Sequence, residues 1–114
     1  MKHFMKLKKA PFLMIESGRK TIELRLYDEK RQQISVGDEI EFSCVDGIEH
    51  RLLRKVIALH TFDSFADLYE ALPLLKCGYT EHDLPSANPS DMEQYYSKEE
   101  QSRFGVVGIE MEIM

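Results

Sequence analysis

Apolar residues along this chain recur mostly with period two, interrupted by a few stretches of helical period. The clearest alternation runs over 20–26, where Ile22, Leu24 and Leu26 fall on one face and Thr21, Glu23 and Arg25 on the other. That pattern predicts a strand with one buried and one polar face. Residues 3–7 predict a first short strand, and Ile40, Phe42 and Cys44 alternate with Glu41 and Ser43 in another. Residues 27–36 form a polar connector between them, closed by a Gly37-Asp38 turn. Asp46-Gly47 is a hairpin signal leading into a long strand over 49–60. At the end of the chain Val107, Ile109, Met111 and Ile113 oppose Gly108, Glu110 and Glu112.

Helical signals are shorter. Pro11 suits a first helical turn, because its missing N–H has no partner there, and Gly18 suits a left-handed cap. Phe65, Leu68, Tyr69 and Leu72 recur at i, i+3, i+4 and i+7, predicting a helix over 64–72 that Pro73 closes. That stripe reads as core. Asn88-Pro89 caps a short helix with Met92, Tyr95 and Tyr96 on one face, and Ser97 to Glu100 has capping-box spacing. Helices interrupt the strands too rarely for a parallel βαβ fold. The expected class is α+β: one domain over 1–114, with a small, mostly antiparallel sheet curled into a barrel. Short helices flank it, and the terminal strand pairs with a central one.

Composition narrows the function. A chain of 114 residues fits one domain with one core. No apolar run approaches the roughly 18 residues of a membrane helix, and the first residues lack a secretory h-region. The expectation is a soluble, cytoplasmic protein without membrane contact. Cys44 and Cys77 have no ligand-spaced neighbours, and His3, His50, His60 and His82 are scattered, so neither a metal nor another cofactor is expected. The net charge of −5 excludes a globally basic surface. Nucleic-acid contact is therefore local, or the partner is small. The sequence sets no oligomeric state.

Candidate chemistry concentrates in Gly18-Arg19-Lys20-Thr21-Ile22-Glu23-Leu24-Arg25. Glu23 and Arg25 point together from the polar strand face, an acceptor beside a guanidinium fork. Left in water, such a face is merely solvated; lining a cleft, it holds a base edge, a carbonyl or a phosphate. Strict alternation puts Lys20 with Ile22 on the apolar side. It joins the site only if the strand start is irregular or its stem snorkels. Desolvated, it would be a nucleophile or electrostatic catalyst. Tyr27 and Arg31 in the connector, and Tyr96 further on, are candidates for stacking on or clamping a base or phosphate.

The block Ser17 to Arg25, the later Val36-Gly37-Asp38-Glu39-Ile40-Glu41-Phe42, and the C-terminal Tyr95-Tyr96-Ser97-Lys98-Glu99-Glu100 leading to Gly105-Val106-Val107-Gly108-Ile109-Glu110 together resemble the ASCH domain family, over nearly the whole chain. The resemblance implies a PUA-like barrel with a cleft beside the first helix and a role in RNA metabolism. The implied partner is single-stranded RNA or a modified nucleoside or nucleotide. The ligand-binding set would be Arg19, Lys20, Thr21, Glu23, Arg25, Tyr27, Arg31 and Tyr96. Some small bacterial members are N4-acetylcytidine amidohydrolases. They use a lysine in a Gly-x-Lys-Thr-Ile motif, a threonine three residues later and a distal glutamate. Lys20 matches the lysine, Glu23 replaces the threonine, and Glu70 and Glu81 lie in the region of the distal glutamate. If the domain is an enzyme, Lys20 and Glu23 are its catalytic pair and Glu23 its base. An interaction domain without nucleic-acid contact is the third reading.

Overall fold

The computed structural model describes residues 1–114. β1 (Lys2–Leu7) leads into α1 (Lys9–Glu16), whose buried Phe12 and Ile15 press onto the sheet. Gly18, at φ +84°, turns the chain out of the helix. β2 (Ile22–Leu26), β3 (Glu39–Cys44) and β4 (Leu52–Phe62) follow, then α2 (Phe65–Ala71), α3 (Lys98–Phe104) and β5 (Val106–Ile113). Between α2 and α3 the chain forms only 3₁₀ turns, at Leu74–Lys76, Leu84–Ser86 and Pro89–Gln94.

The five strands form one sheet in the order β1-β3-β4-β5-β2. The terminal strand does pair with a central one, β4, and also with β2, antiparallel to both. β1 and β3 are parallel, the one exception to the antiparallel expectation. The sheet curls into a half-barrel with β1 and β2 as its two edges. A side chain bridges that seam: Arg25 Nη2 on β2 donates to the Lys6 carbonyl on β1 at 3.1 Å.

Both faces of the sheet are covered. On one, Met5, Ile40, Phe42, Val56, Val107, Ile109 and Met111 pack with α1. On the other, Ile22, Leu24, Leu26 and Val106 pack with Phe65 and Leu68 of α2 and with Cys77. Gly108 makes the second layer fit, because a Cβ there would come within 2.6 Å of Leu72 Cδ1. Two local expectations shift. The long strand begins at Leu52 rather than 49, after a longer turn. The connector carries a 3₁₀ turn at Arg31–Gln33, and its Ile34 is buried in the first core.

Candidate functional site

The cross-strand register decides where the charges of β2 point. Glu23 pairs with Ile109 and Arg25 with Val107, and directly opposed residues share a face. The polar face of β2 therefore looks inward with the first core, at the open seam of the half-barrel, while α2 covers Ile22, Leu24 and Leu26.

Lys20 is not on either strand face. Its N–H donates to the Met14 carbonyl at 3.0 Å and that of Thr21 to the Lys76 carbonyl at 2.9 Å, so regular β structure starts only at Ile22. The irregular start carries the Lys20 stem across Gly78. A Cβ at Gly78, already at φ +114°, would sit 3.4 Å from Lys20 Cδ. Lys20 Nζ lies 2.8 Å from Glu23 Oε1, and Arg25 Nε donates to Glu23 Oε2 at 2.7 Å. Glu23 is only 3% exposed, the single charged residue among the buried ones. Burial alone would raise its pKa, but Lys20 and Arg25 outweigh burial and hold the carboxyl below its ordinary range. Burial works against the Arg25 charge too, and the Glu23 carboxylate together with the Tyr96 hydroxyl more than compensates. One carboxylate is thus shared between two cations, with both its oxygens engaged and one net positive charge left on the triad.

This triad floors a cleft of about 540 Å³. Lys6, Lys8 and Met14, from β1 and α1, form one lip. Met92, Tyr95 and Tyr96 form another, with Tyr96 stacked on Phe65 at 6.2 Å between ring centroids. Burial raises the Tyr96 phenol, while the nearby Arg25 charge opposes the rise. The third wall is hydrogen-bonded: Tyr69 Oη lies 2.6 Å from Tyr79 Oη, and Tyr79 donates to Asp91 Oδ2 at 2.7 Å. Asn88 N also donates to that oxygen, at 3.2 Å, within a capping box that fixes the carboxylate. Cys77 closes the base of this wall, its thiol pushed up to about 11 by burial.

Of the residues singled out in the sequence, Lys20, Glu23, Arg25 and Tyr96 meet in this cleft. Arg19 is exposed, and Thr21 contributes backbone bonds to Lys76 and Met111. Tyr27 packs against the first core and lines a separate, shallower hollow with Phe62 and Arg103. Arg31 pairs with Asp28 at 3.0 Å inside the connector. Glu70 and Glu81 are exposed and line nothing here. The walls contain residues that the sequence did not mark for the site: Tyr79 and Asp91, and Tyr69, which periodicity assigned to the core. Tyr69 belongs to the α2 stripe by its ring and to the cleft by its hydroxyl. No group of three or more His, Cys, Asp or Glu could hold a metal ion; His3, for example, pairs with Asp38 alone at 2.8 Å. No helix is long and apolar enough to cross a membrane.

A five-stranded half-barrel with short flanking helices and a polar cleft beside α1 is a PUA-like domain. The ASCH domain model matches residues 5–114, and the chain belongs to this family, whose fold is associated with RNA binding. The crystal structure of hypothetical protein PH0355 is 33% identical with a TM-score of 0.82, each chain covering 100% of the other. The solution NMR structure of protein PF0455 from Pyrococcus furiosus is 32% identical with a TM-score of 0.70, covering 98% of this chain and 96% of that one. The crystal structure of ASCH from Zymomonas mobilis shares the fold at 13% identity and a TM-score of 0.66, over 97% of this chain and 66% of that one. No curated protein matches the chain.

Proposed function

We propose that this domain binds one nucleotide unit, free or at an accessible position of single-stranded RNA, in the cleft above Lys20, Glu23 and Arg25. The observation that carries this is the saturated triad at the bottom of an aromatic-walled hollow. Glu23 has both oxygens occupied, so the floor offers a ligand mainly N–H donors from Lys20 and Arg25. Such donors suit carbonyl and phosphate oxygens. Tyr95 and Tyr96 supply ring surface on which a base can stack. A cleft of about 540 Å³ suits a ligand of nucleotide size. With a net charge of −5, a small or single-stranded ligand is easier to accommodate than a duplex. Two free thiols fit a cytoplasmic setting for such a protein.

Binding is favoured over hydrolysis by the state of the acid–base groups. Glu23 is clamped by two cations and held low, a poor general base at neutral pH. Neither Glu70 nor Glu81 reaches the cleft to act in its place.

The test is a titration with mononucleotides and a short single-stranded RNA, followed by backbone amide shifts. Perturbations centred on residues 20–25 and 92–96, with a shallow salt dependence, are expected. Incubation with N4-acetylcytidine runs beside it. Loss of the acetyl group, abolished by Lys20→Ala, would replace this function with an amidohydrolase. Neither binding nor turnover would leave an interaction domain.

A further inference from the structure

The hydrogen-bonded wall has a fixed polarity. A carboxylate accepts and never donates, so the proton in the 2.7 Å contact between Tyr79 and Asp91 belongs to Tyr79. A phenol has one proton, and Tyr79 has used it. The 2.6 Å contact between Tyr69 and Tyr79 is therefore closed by the proton of Tyr69. Both phenols hold their protons firmly, because burial raises the pKa of each. Neither has a donor left for a ligand. What this wall offers the cleft is lone pairs, on Tyr69 Oη and on Asp91 Oδ1, to which no protein group donates. The floor is the opposite, since Lys20 and Arg25 can only donate.

From this polarity we infer that the cleft selects a nucleobase bearing an exocyclic amino group over its carbonyl analogue. The inference rests on the proposed nucleotide binding and adds the class of base. Cytosine and adenine carry an amino donor beside a ring-nitrogen acceptor, so they meet both the lone-pair wall and the donor floor. Uracil and hypoxanthine set a carbonyl oxygen where the amino group was. That oxygen faces Tyr69 Oη and the Asp91 carboxylate with no proton between them. Leaving such groups desolvated and unpaired is the penalty that discriminates. Tyr69, Tyr79 and Asp91 are on this account specificity residues. Tyr79 acts through its neighbour by keeping the Tyr69 proton turned away.

The experiment compares cytidine with uridine 5′-monophosphate, and adenosine with inosine 5′-monophosphate, by calorimetric titration. In the wild-type protein the amino member of each pair should bind about tenfold tighter or better. Tyr79→Phe keeps the ring but removes the acceptor for Tyr69, whose proton is then free to turn into the cleft. The ratio should fall to within about threefold, through a gain for the carbonyl ligands as much as a loss for the amino ones. Asp91→Asn keeps an oxygen for the Asn88 cap and adds amide donors, and should narrow the ratio in the same way. Equal binding within each pair by the wild type would overturn this inference and leave nucleotide binding standing. A preference that survives both substitutions would overturn it as well. Binding of none of the four would remove the proposed function and this inference together.

Discussion

The floor and the wall of the cleft solve the same problem, presenting polar atoms inside a folded domain, by opposite means. The floor is ionic, with Glu23 and Arg25 on β2 and Lys20 on the irregular segment just before it. Three charged side chains from 20–25 close on one another within 2.8 Å, at the seam of the half-barrel. The wall is built from two phenols and one carboxylate, set on α2, on the loop after it and on a 3₁₀ turn rather than on a sheet. In the floor, a carboxylate shared between two cations makes its burial tolerable. In the wall, a relay of single protons does so, and it leaves a directional surface. A floor of this kind favours any oxygen-rich ligand; a wall of this kind chooses among ligands.

Removing one member of each region should separate them most strongly in stability. Glu23→Ala leaves the largely covered Lys20 and Arg25 without their shared carboxylate. The expected loss is about 3–5 kcal/mol, the range for orphaning a buried charge. Asp91→Ala leaves only a half-buried phenol unsatisfied and weakens one cap, for about 1–2 kcal/mol. Urea denaturation of the two variants checks the difference. Equal losses would mean that the triad is no more buried in solution than the wall.

The two regions should also fail at opposite ends of the pH scale. The folded Glu23 pKa lies below its ordinary 4.5 because Lys20 and Arg25 outweigh burial. Its stabilisation is complete above that value and is lost as pH falls through the lower, folded one. Tyr69 and Tyr79 are raised above their ordinary 10.0, chiefly by burial. Their contribution is complete below that value and is lost as pH rises through the folded values. Cys77, raised from 9.0 to about 11, adds to the alkaline loss. Asp38, held at about 2 mainly by its hydrogen bond with His3, adds to the acid loss. Urea midpoints followed into acid and alkali should therefore show Glu23→Gln shrinking the acid limb alone and Tyr79→Phe the alkaline limb alone.

The contrast also explains what the sequence disclosed. Period-two alternation placed Glu23 and Arg25 on one face of a strand, and Gly18 marked the helix end before it. Alternation does not say what covers each face. Here α2 takes the apolar face, and the charged one turns toward the barrel interior. Lys20 escaped the pattern because Thr21 N–H bonds to the Lys76 carbonyl, 55 residues on in sequence, and delays the strand. Tyr79 and Asp91 lie in a stretch of 3₁₀ turns too short to show a hydrophobic period. Tyr69 reads as core because its ring is core and only its oxygen is not. That the last segment is a strand was legible from its apolar alternation; that it lies between β4 and β2 was not. Nor was the parallel pairing of β1 with β3, since strands from separate parts of the chain carry no local mark of their direction.

Two substitutions on the rims test the ligand side with smaller effects. Tyr95 is 56% exposed, so Tyr95→Ala should leave the fold intact and cost about 1–3 kcal/mol of binding if a base stacks there. Lys6 gives the smallest and most diagnostic change. Its carbonyl receives Arg25 through the backbone, which Lys6→Ala preserves, so the floor is untouched. Only the exposed ammonium at the cleft lip is lost, worth at most about 1 kcal/mol. If that ammonium meets a phosphate, the slope of log affinity against log salt should become shallower by roughly 0.7 for a single-stranded ligand. The ratio of amino to carbonyl ligands should not move, because the proton relay of Tyr69 and Tyr79 is unaltered. A changed ratio with an unchanged salt slope would invert the assignment, making the lip the selective surface and the wall a structural brace.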